Sequence, residues 1–376
     1  SMAKNQPLSF MNHHLKCGNS LYGVELAEVG HYPLEGDHQK ENQTTFLIQS
    51  DQFKNSIQNA IERNISISNL ESKTLNDVSQ KFNLLEESNT YLAPYKRVCD
   101  YHIYLLRQSD LDADKYQRLL NRFQSEIEPS EPNQYAFHWE LEFPGVFLID
   151  SGFDVIISNP PYVGEKGNEK IFHKISETGI SRRFYTRWMD YYYFFFHKSL
   201  DLCKENGIIA LITTNYYYTA TGGNKLREDI KNRSEVISLI DFNNLKIFPS
   251  ASGQHNSITI LRKNYNKDSI ANNWITYRTG LADIKILTKI LGKSDKQTKY
   301  FSVPQKYLFE GKSNQIRITG FGDHVIQIGQ TILERMKKTS HSLGELCEIM
   351  PGIMSGADKV SKRHTRMYPG ENLKVG

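Results

Sequence analysis

The sequence predicts an α/β chain with a mostly parallel sheet and a helical insertion ahead of it. Three observations predict this. Short apolar, β-branched runs alternate with helix-period segments between Phe153 and Arg262. Such alternation favours a mostly parallel sheet covered on both faces. Between Phe46 and Phe123 the apolar residues instead recur at helical spacing, as in Phe53, Ile57, Ala60 and Ile61, then Leu75, Val78, Phe82 and Leu85.

The elements read in order as follows. Residues 1–30 are short and mixed and hold the stretch Cys17-Gly18-Asn19-Ser20-Leu21. Residues 31–135 form the helical insertion, a packing or spacing module, closed by loop chemistry at Glu128-Pro129-Ser130-Glu131-Pro132-Asn133. Residues 136–265 form the α/β core. In it FDVIIS (153–158) and GIIALIT (207–213) read as buried strands, and Asp190 to Glu205 as an aromatic-rich helix. Gly223 to Arg233 reads as a helix, Val236 to Phe242 as a strand, and HNSITILR (255–262) as the last strand. Residues 266–376 mix short β-like runs with loops, a helix over 326–338 and a basic tail holding Lys359, Lys362, Arg363, His364 and Arg366.

A chain of 376 residues, 39% of them hydrophobic, can bury at least one sizeable core in two or three domains. No apolar run approaches the roughly 20 residues of a membrane span, and the start, Ser1 to Phe10, is polar. Cys17, Cys99, Cys203 and Cys347 lie far apart, without the paired spacing of zinc sites. They read as reduced thiols of a cytoplasmic protein. A net charge of +4 permits a polyanionic partner without demanding one.

The chemistry concentrates in Asn159-Pro160-Pro161-Tyr162, directly after FDVIIS. Open α/β sheets bind ligands at the carboxyl ends of their strands. An exocyclic base amine is a poor nucleophile because its lone pair is delocalised into the ring. Two hydrogen-bond acceptors on its N–H groups return charge to nitrogen. The Asn159 side-chain oxygen and the Pro160 carbonyl can serve, provided they are held fixed. Two prolines pin the backbone and remove competing N–H donors. Tyr162 offers a flat face for a base, and such stacking is worth roughly 1–3 kcal/mol.

This segment resembles motif IV of the amino-methyltransferases, in particular the adenine-N6 DNA methyltransferases of type II and type IIG restriction–modification systems. Asp190-Tyr191-Tyr192 is similar to the family's motif V, GIIALIT with Thr214-Asn215-Tyr216 to motif VI, and Ile247-Phe248-Pro249 ahead of HNSITILRK to motif VIII. The resemblance covers about Phe137 to Lys263. It implies a partial Rossmann-like methyltransferase sheet, with Asn159, Pro160, Pro161 and Tyr162 as catalytic residues. It also implies that Tyr162 and Phe248 stack on a flipped adenine. Cys17 to Leu21 resembles motif III, which implies that Asn19 and Ser20, with Asn159, contact S-adenosylmethionine. Many relatives carry Asp where this chain has Asn19.

The resemblance implies S-adenosylmethionine as methyl donor and double-stranded DNA as partner. The Gly-rich donor loop of the family belongs before motif III, and about sixteen residues precede Cys17. Gly222-Gly223 and Gly320-Phe321-Gly322 do not follow a buried strand in the required way. The chain therefore reads as a fragment that depends on a missing upstream segment, or on a subunit supplying it, and is inactive alone. Ser342 to Cys347 and Gly352 to Gly356 look like the opening of a truncated target-recognition domain. Rival readings are an RNA-base or protein-glutamine amino-methyltransferase, and a non-catalytic DNA-binding or assembly subunit. No Asp…Glu-x-Lys cluster marks a nuclease within the chain, and no metal site is expected.

Overall fold

The computed structural model describes residues 10–29, 50–126, 136–249 and 255–319, apart from positions 109, 177, 265 and 267, together with 335 and 341. The chain divides into two units, Ser1–Gly320 and Phe321–Gly376. The expected 326–338 helix, the recognition-like segment and the basic tail fall in the second unit, outside the described residues apart from single positions.

Among the described residues three helices occupy the insertion: α1 (Asp51–Asn69), α2 (Leu75–Leu105) and α3 (Ala113–Glu126). Ser50 caps α1 by accepting the Phe53 N–H at 3.1 Å. Thr74 and Asp77 form a reciprocal capping box on α2. Phe53, Ile57, Ala60 and Ile61 are buried as expected, against Leu92, Tyr95, Val98 and Cys99. The start of α2 departs from expectation. Leu75 and Phe82 are exposed, and the inward stripe runs through Lys81, Leu85, Ser88 and Leu92. The apolar spacing there marked a helix correctly, and of its four residues Leu85 is buried and Val78 half-buried. This helical core also takes in Tyr22, Val24, Leu26 and Val29 of the amino-terminal thread.

The central sheet has six strands: β1 (Phe153–Ser158), β2 (Cys203–Thr214), β3 (Glu235–Asp241), β4 (Asn256–Arg262), β5 (Ile270–Thr276) and β6 (Thr298–Pro304). Their order is β1-β2-β4-β3-β5-β6. Strands β1 and β2 run parallel, as do β3 and β5. Strand β4 lies antiparallel between β2 and β3, and β6 antiparallel to β5.

The sheet is thus mixed where a mostly parallel one was expected. The connection from β3 to β4 carries no crossover helix among its described residues, and a strand that returns without one runs antiparallel. HNSITILR is likewise not last: two further strands of the central sheet follow from the weakly patterned 266–304 region. FDVIIS is not a buried strand either. β1 pairs with β2 on one side only among the described residues, and Val155 and Ile157 are 53% and 81% exposed.

Helix α4 (Tyr192–Leu202) lies between β1 and β2 in the chain, and α5 (Asn224–Arg233) between β2 and β3. The aromatic run in α4 forms the core beneath the site, with Tyr192, Tyr193, Phe194 and Phe196 almost fully buried beside Tyr217, Leu211 and Leu239. His197 of α4 donates from Nδ1 to Asp229 Oδ2 of α5 at 2.6 Å and stacks on Phe184 at 3.8 Å. Arg233 grips the same carboxylate through two bonds of 2.6 Å. Arg233 already balances the Asp229 charge, so His197 remains neutral. Burial holds its pKa below the ordinary 6.5, and the His197 and Arg233 hydrogen bonds hold Asp229 below 3.8 against burial's opposing pull.

Both groups favour the folded state at neutral pH. The unfolded chain takes up a proton on this histidine as pH falls below about 6.5, and the folded chain resists it. Stability is therefore expected to fall as the solution is acidified through that point, and again below the ordinary carboxylate range. His197→Gln keeps a donor for Asp229 and removes the titration. Urea unfolding at about pH 7 and about pH 5 should show a smaller loss in the variant than in the parent.

Candidate active site

Strand β1 delivers Asn159 to the carboxyl end of the sheet. Asn159 is exposed, Pro160 buried, Pro161 exposed and Tyr162 half-buried. The asparagine amide is therefore free of the core and can meet a ligand. The Tyr162 hydroxyl lies 3.1 Å from Asn159 Oδ1 and 3.1 Å from the Ile212 carbonyl oxygen of β2. Its ring packs edge-on against Tyr192, centroids 6.2 Å apart. Tyr192 in turn bonds Thr214 Oγ1 at 2.9 Å. Burial pushes the Tyr162 hydroxyl above the ordinary tyrosine range, so it is a neutral donor at physiological pH.

The chain after Tyr162 is stitched to residues 188–191. Tyr191 N–H donates to Val163 O at 2.7 Å, Glu165 N–H donates to Met189 O at 3.1 Å, and Gly164 bridges Asp190. The Glu165 carboxylate accepts the Trp188 N–H at 2.6 Å and the Tyr185 hydroxyl. Trp188 has a left-handed backbone, φ 68°, with its ring 59% exposed and the Arg187 guanidinium 4.8 Å above it. The motif V-like Asp190 is partly buried, and desolvation pushes its carboxyl up.

The remaining expected residues are distributed around this turn. Asn19 Oδ1 accepts the Leu21 N–H at 3.1 Å, and its side chain lies against Tyr191, the residue bonded to Val163. Ser20 lines a cavity of about 280 Å³ with Glu25, Glu28, Trp139, Glu140 and Lys198. Neither Asn159 nor Tyr162 lines that cavity. Phe248 is half-buried, following a two-residue strand at Leu245–Lys246. No ring contact joins it to Tyr162 among the described residues.

The expected donor, S-adenosylmethionine, would need a cradle with room for it. A Cβ at Gly222 would meet the Trp188 carbonyl oxygen at 2.4 Å, and one at Gly223 would meet Arg227 Nη1 at 2.7 Å. These glycines permit close packing of the protein on itself and open no space for a ligand. The Asn19 oxygen accepts one bond within its own turn and keeps a second acceptor site. Gly222 and Gly223 do not form the donor's cradle.

One residue escaped the sequence reading. Asn256 opens β4, is 0% exposed, and both polar atoms of its side chain lack a hydrogen-bond partner. It stands opposite Thr214, two residues beyond the carbonyl that meets Tyr162. An amide immediately ahead of the alternating run SITIL was the available signal.

Gly222→Ala is expected to push the 186–189 turn outward and cost about 1–3 kcal/mol in overpacking. Chemical denaturation measures this, and an unchanged midpoint would contradict the close approach.

Comparison with known proteins follows the same segments. The model of a family described as Eco57I restriction-modification methylase matches residues 20–248. The type II methyltransferase M.HindII of Haemophilus influenzae is 26% identical over 240 residues, which is 59% of this chain and 44% of that protein. The type II methyltransferase M.HincII of the same species is 30% identical over 136 residues, 33% of this chain and 26% of that protein. The chain spans less than half the length of these curated relatives. Among solved structures, the type I restriction enzyme EcoKI M protein aligns with a TM-score of 0.34 and 11% identity, covering 72% of this chain and 78% of that one.

Proposed function

Because the chain belongs to the Eco57I restriction-modification methylase family, we propose that it carries the amine-holding side of a DNA adenine-N6 methyltransferase centre. The observation that carries this reading is the placement of Asn159. Its amide is solvent-accessible at the end of β1, beside the Tyr162 ring on which a base can stack.

In this reading the target adenine leaves the duplex, since its amine is otherwise out of reach. That costs a few kcal/mol. Stacking on Tyr162, with Phe248 on the other face, offsets it. Asn159 Oδ1 accepts one N–H of the amine and the Pro160 carbonyl accepts the other. The two acceptors draw charge onto nitrogen and keep its lone pair out of conjugation with the ring. They are useful because they are fixed before the base arrives. Pro160 and Pro161 restrict the backbone, and the stitch to residues 188–191 holds the turn from the far side. Double-stranded DNA is the proposed substrate and S-adenosylmethionine the proposed donor. The described residues act on the acceptor alone, and no step is assigned to the donor.

Asn159→Ala in the natural full-length protein is expected to lower labelled methyl transfer to adenine in duplex DNA by about 100-fold or more, the scale for loss of one preorganised hydrogen-bonding group. Duplex affinity should stay nearly unchanged. Near-parental turnover in a folded variant would overturn the role. Parallel assays with RNA and protein acceptors test the choice of substrate.

A further inference from the structure

The Tyr162 hydroxyl has a single proton and two oxygen acceptors at equal distance, Asn159 Oδ1 and Ile212 O, both at 3.1 Å. The Ile212 carbonyl can only accept. Asn159 Oδ1 is the atom the proposed function reserves for the target amine. A hydroxyl bonded to that oxygen occupies one lone pair and draws charge away from it, so it weakens the acceptor. Nearby, the Asn256 amide is fully buried with neither Nδ2 nor Oδ1 satisfied. Buried polar groups are nearly always paired, and one left unpaired in the folded chain calls for a reason. The backbone of Asn256 is fixed, with its carbonyl accepting the Phe242 N–H at 3.0 Å and its strand registered against Thr214. The Asn256 side chain lies close enough to the Tyr162 oxygen to oppose burial's upward pull on that hydroxyl, but falls short of full hydrogen-bond geometry.

We infer that Asn256 is a positioning residue: it draws the Tyr162 hydroxyl off Asn159 when an amine-bearing base enters. The inference rests on the adenine reading above. In the free site the hydroxyl proton is shared between Asn159 and Ile212. When the base amine donates to Asn159 Oδ1, the Tyr162 proton turns fully to Ile212 O. The tyrosine oxygen then accepts an N–H from Asn256 Nδ2, which gains a partner. No covalent bond changes and no proton leaves its oxygen. The buried amide is fully paired in the base-bound state and only marginally paired in the free one, so its pairing contributes to recognition of the amine.

The test compares the affinity of the natural full-length protein for two duplexes carrying its own target site, located by mapping adenines methylated in DNA it has modified. One duplex has adenine at the target and the other has purine, which lacks the amine. The readout is the adenine-over-purine preference. Asn256→Leu is expected to lower that preference by about two- to ten-fold, the range for a net hydrogen bond. Tyr162→Phe is expected to keep the preference or raise it, because Asn159 is then unencumbered. Asn256→Leu placed in the Tyr162→Phe background should have no further effect.

An equal loss from Asn256→Leu in both backgrounds would mean a general packing role and overturn the inference. So would an unchanged preference in folded Asn256→Leu. Should that variant not fold, Tyr162→Phe decides alone, and a fall in its preference overturns the inference. A parent protein without any adenine preference would sink the adenine reading as well. A parent preference combined with additive variants would sink the switch alone.

Discussion

Two backbone hydrogen bonds, Tyr191 to Val163 and Glu165 to Met189, hold the turn that follows β1. The geometry of the site depends on them. Pro160 and Pro161 stiffen their own dihedrals but cannot say where the turn sits in space. The antiparallel stitch supplies that position, and it ties the turn to the mouth of helix α4. Glu165 adds a carboxylate that binds the backbone of Trp188 and the hydroxyl of Tyr185. The strained φ of Trp188 persists because the surroundings fix it from several sides. Gly222 contributes by leaving room for the Trp188 carbonyl.

Beneath this layer the tyrosines connect site to core. Tyr162 meets Tyr192, which bonds Thr214, while Tyr217 bonds Thr259 at 2.6 Å and Tyr218 bonds Ser257. Each buried ring brings a hydroxyl that must find a partner. The threonines and serines of β2 and β4 meet that need, so the apolar rings and polar strand residues specify one another. Arg227 does similar service at the next loop. Fully buried, it donates to the Tyr217 and Ala220 carbonyls at 2.7 Å and to Ser313 O at 2.9 Å. The chain that leaves β2 is thereby fixed relative to α5.

Much of this was legible in the sequence, and the reasons are local. FDVIIS, GIIALIT and HNSITILR declared themselves as strands because β-branched runs of that length do so without help from distant contacts. The turn after FDVIIS was legible because its four residues and its position agree. Strand order was not legible. Whether β4 lies at the edge or between β2 and β3 depends on pairing partners, and periodicity carries no information about those. The inward face of α2 was only partly legible for the same reason: Leu85 is buried as its spacing suggests, while Lys81 and Ser88 are buried by what packs on them. Asn256 was missed because a lone amide at a strand start resembles any turn residue until its surroundings are known. Asn19 was expected to contact the donor, and its oxygen accepts a bond within its own loop, which a five-residue resemblance could not show.

The one-sided pairing of β1 has a consequence for how long the asparagine stays in place. Among the described residues, amides of β1 that point toward β2 sit in a ladder, whereas those on the opposite flank pair with no strand. A strand anchored along one edge opens more often than its neighbours, and deuterium would enter it sooner than β2 or β4. Among the described residues Asn159 thus hangs from an edge strand of the sheet. Its order is borrowed from the other end of the turn, so the lifetime of the assembled site is set by residues 188–191 rather than by the strand that presents it.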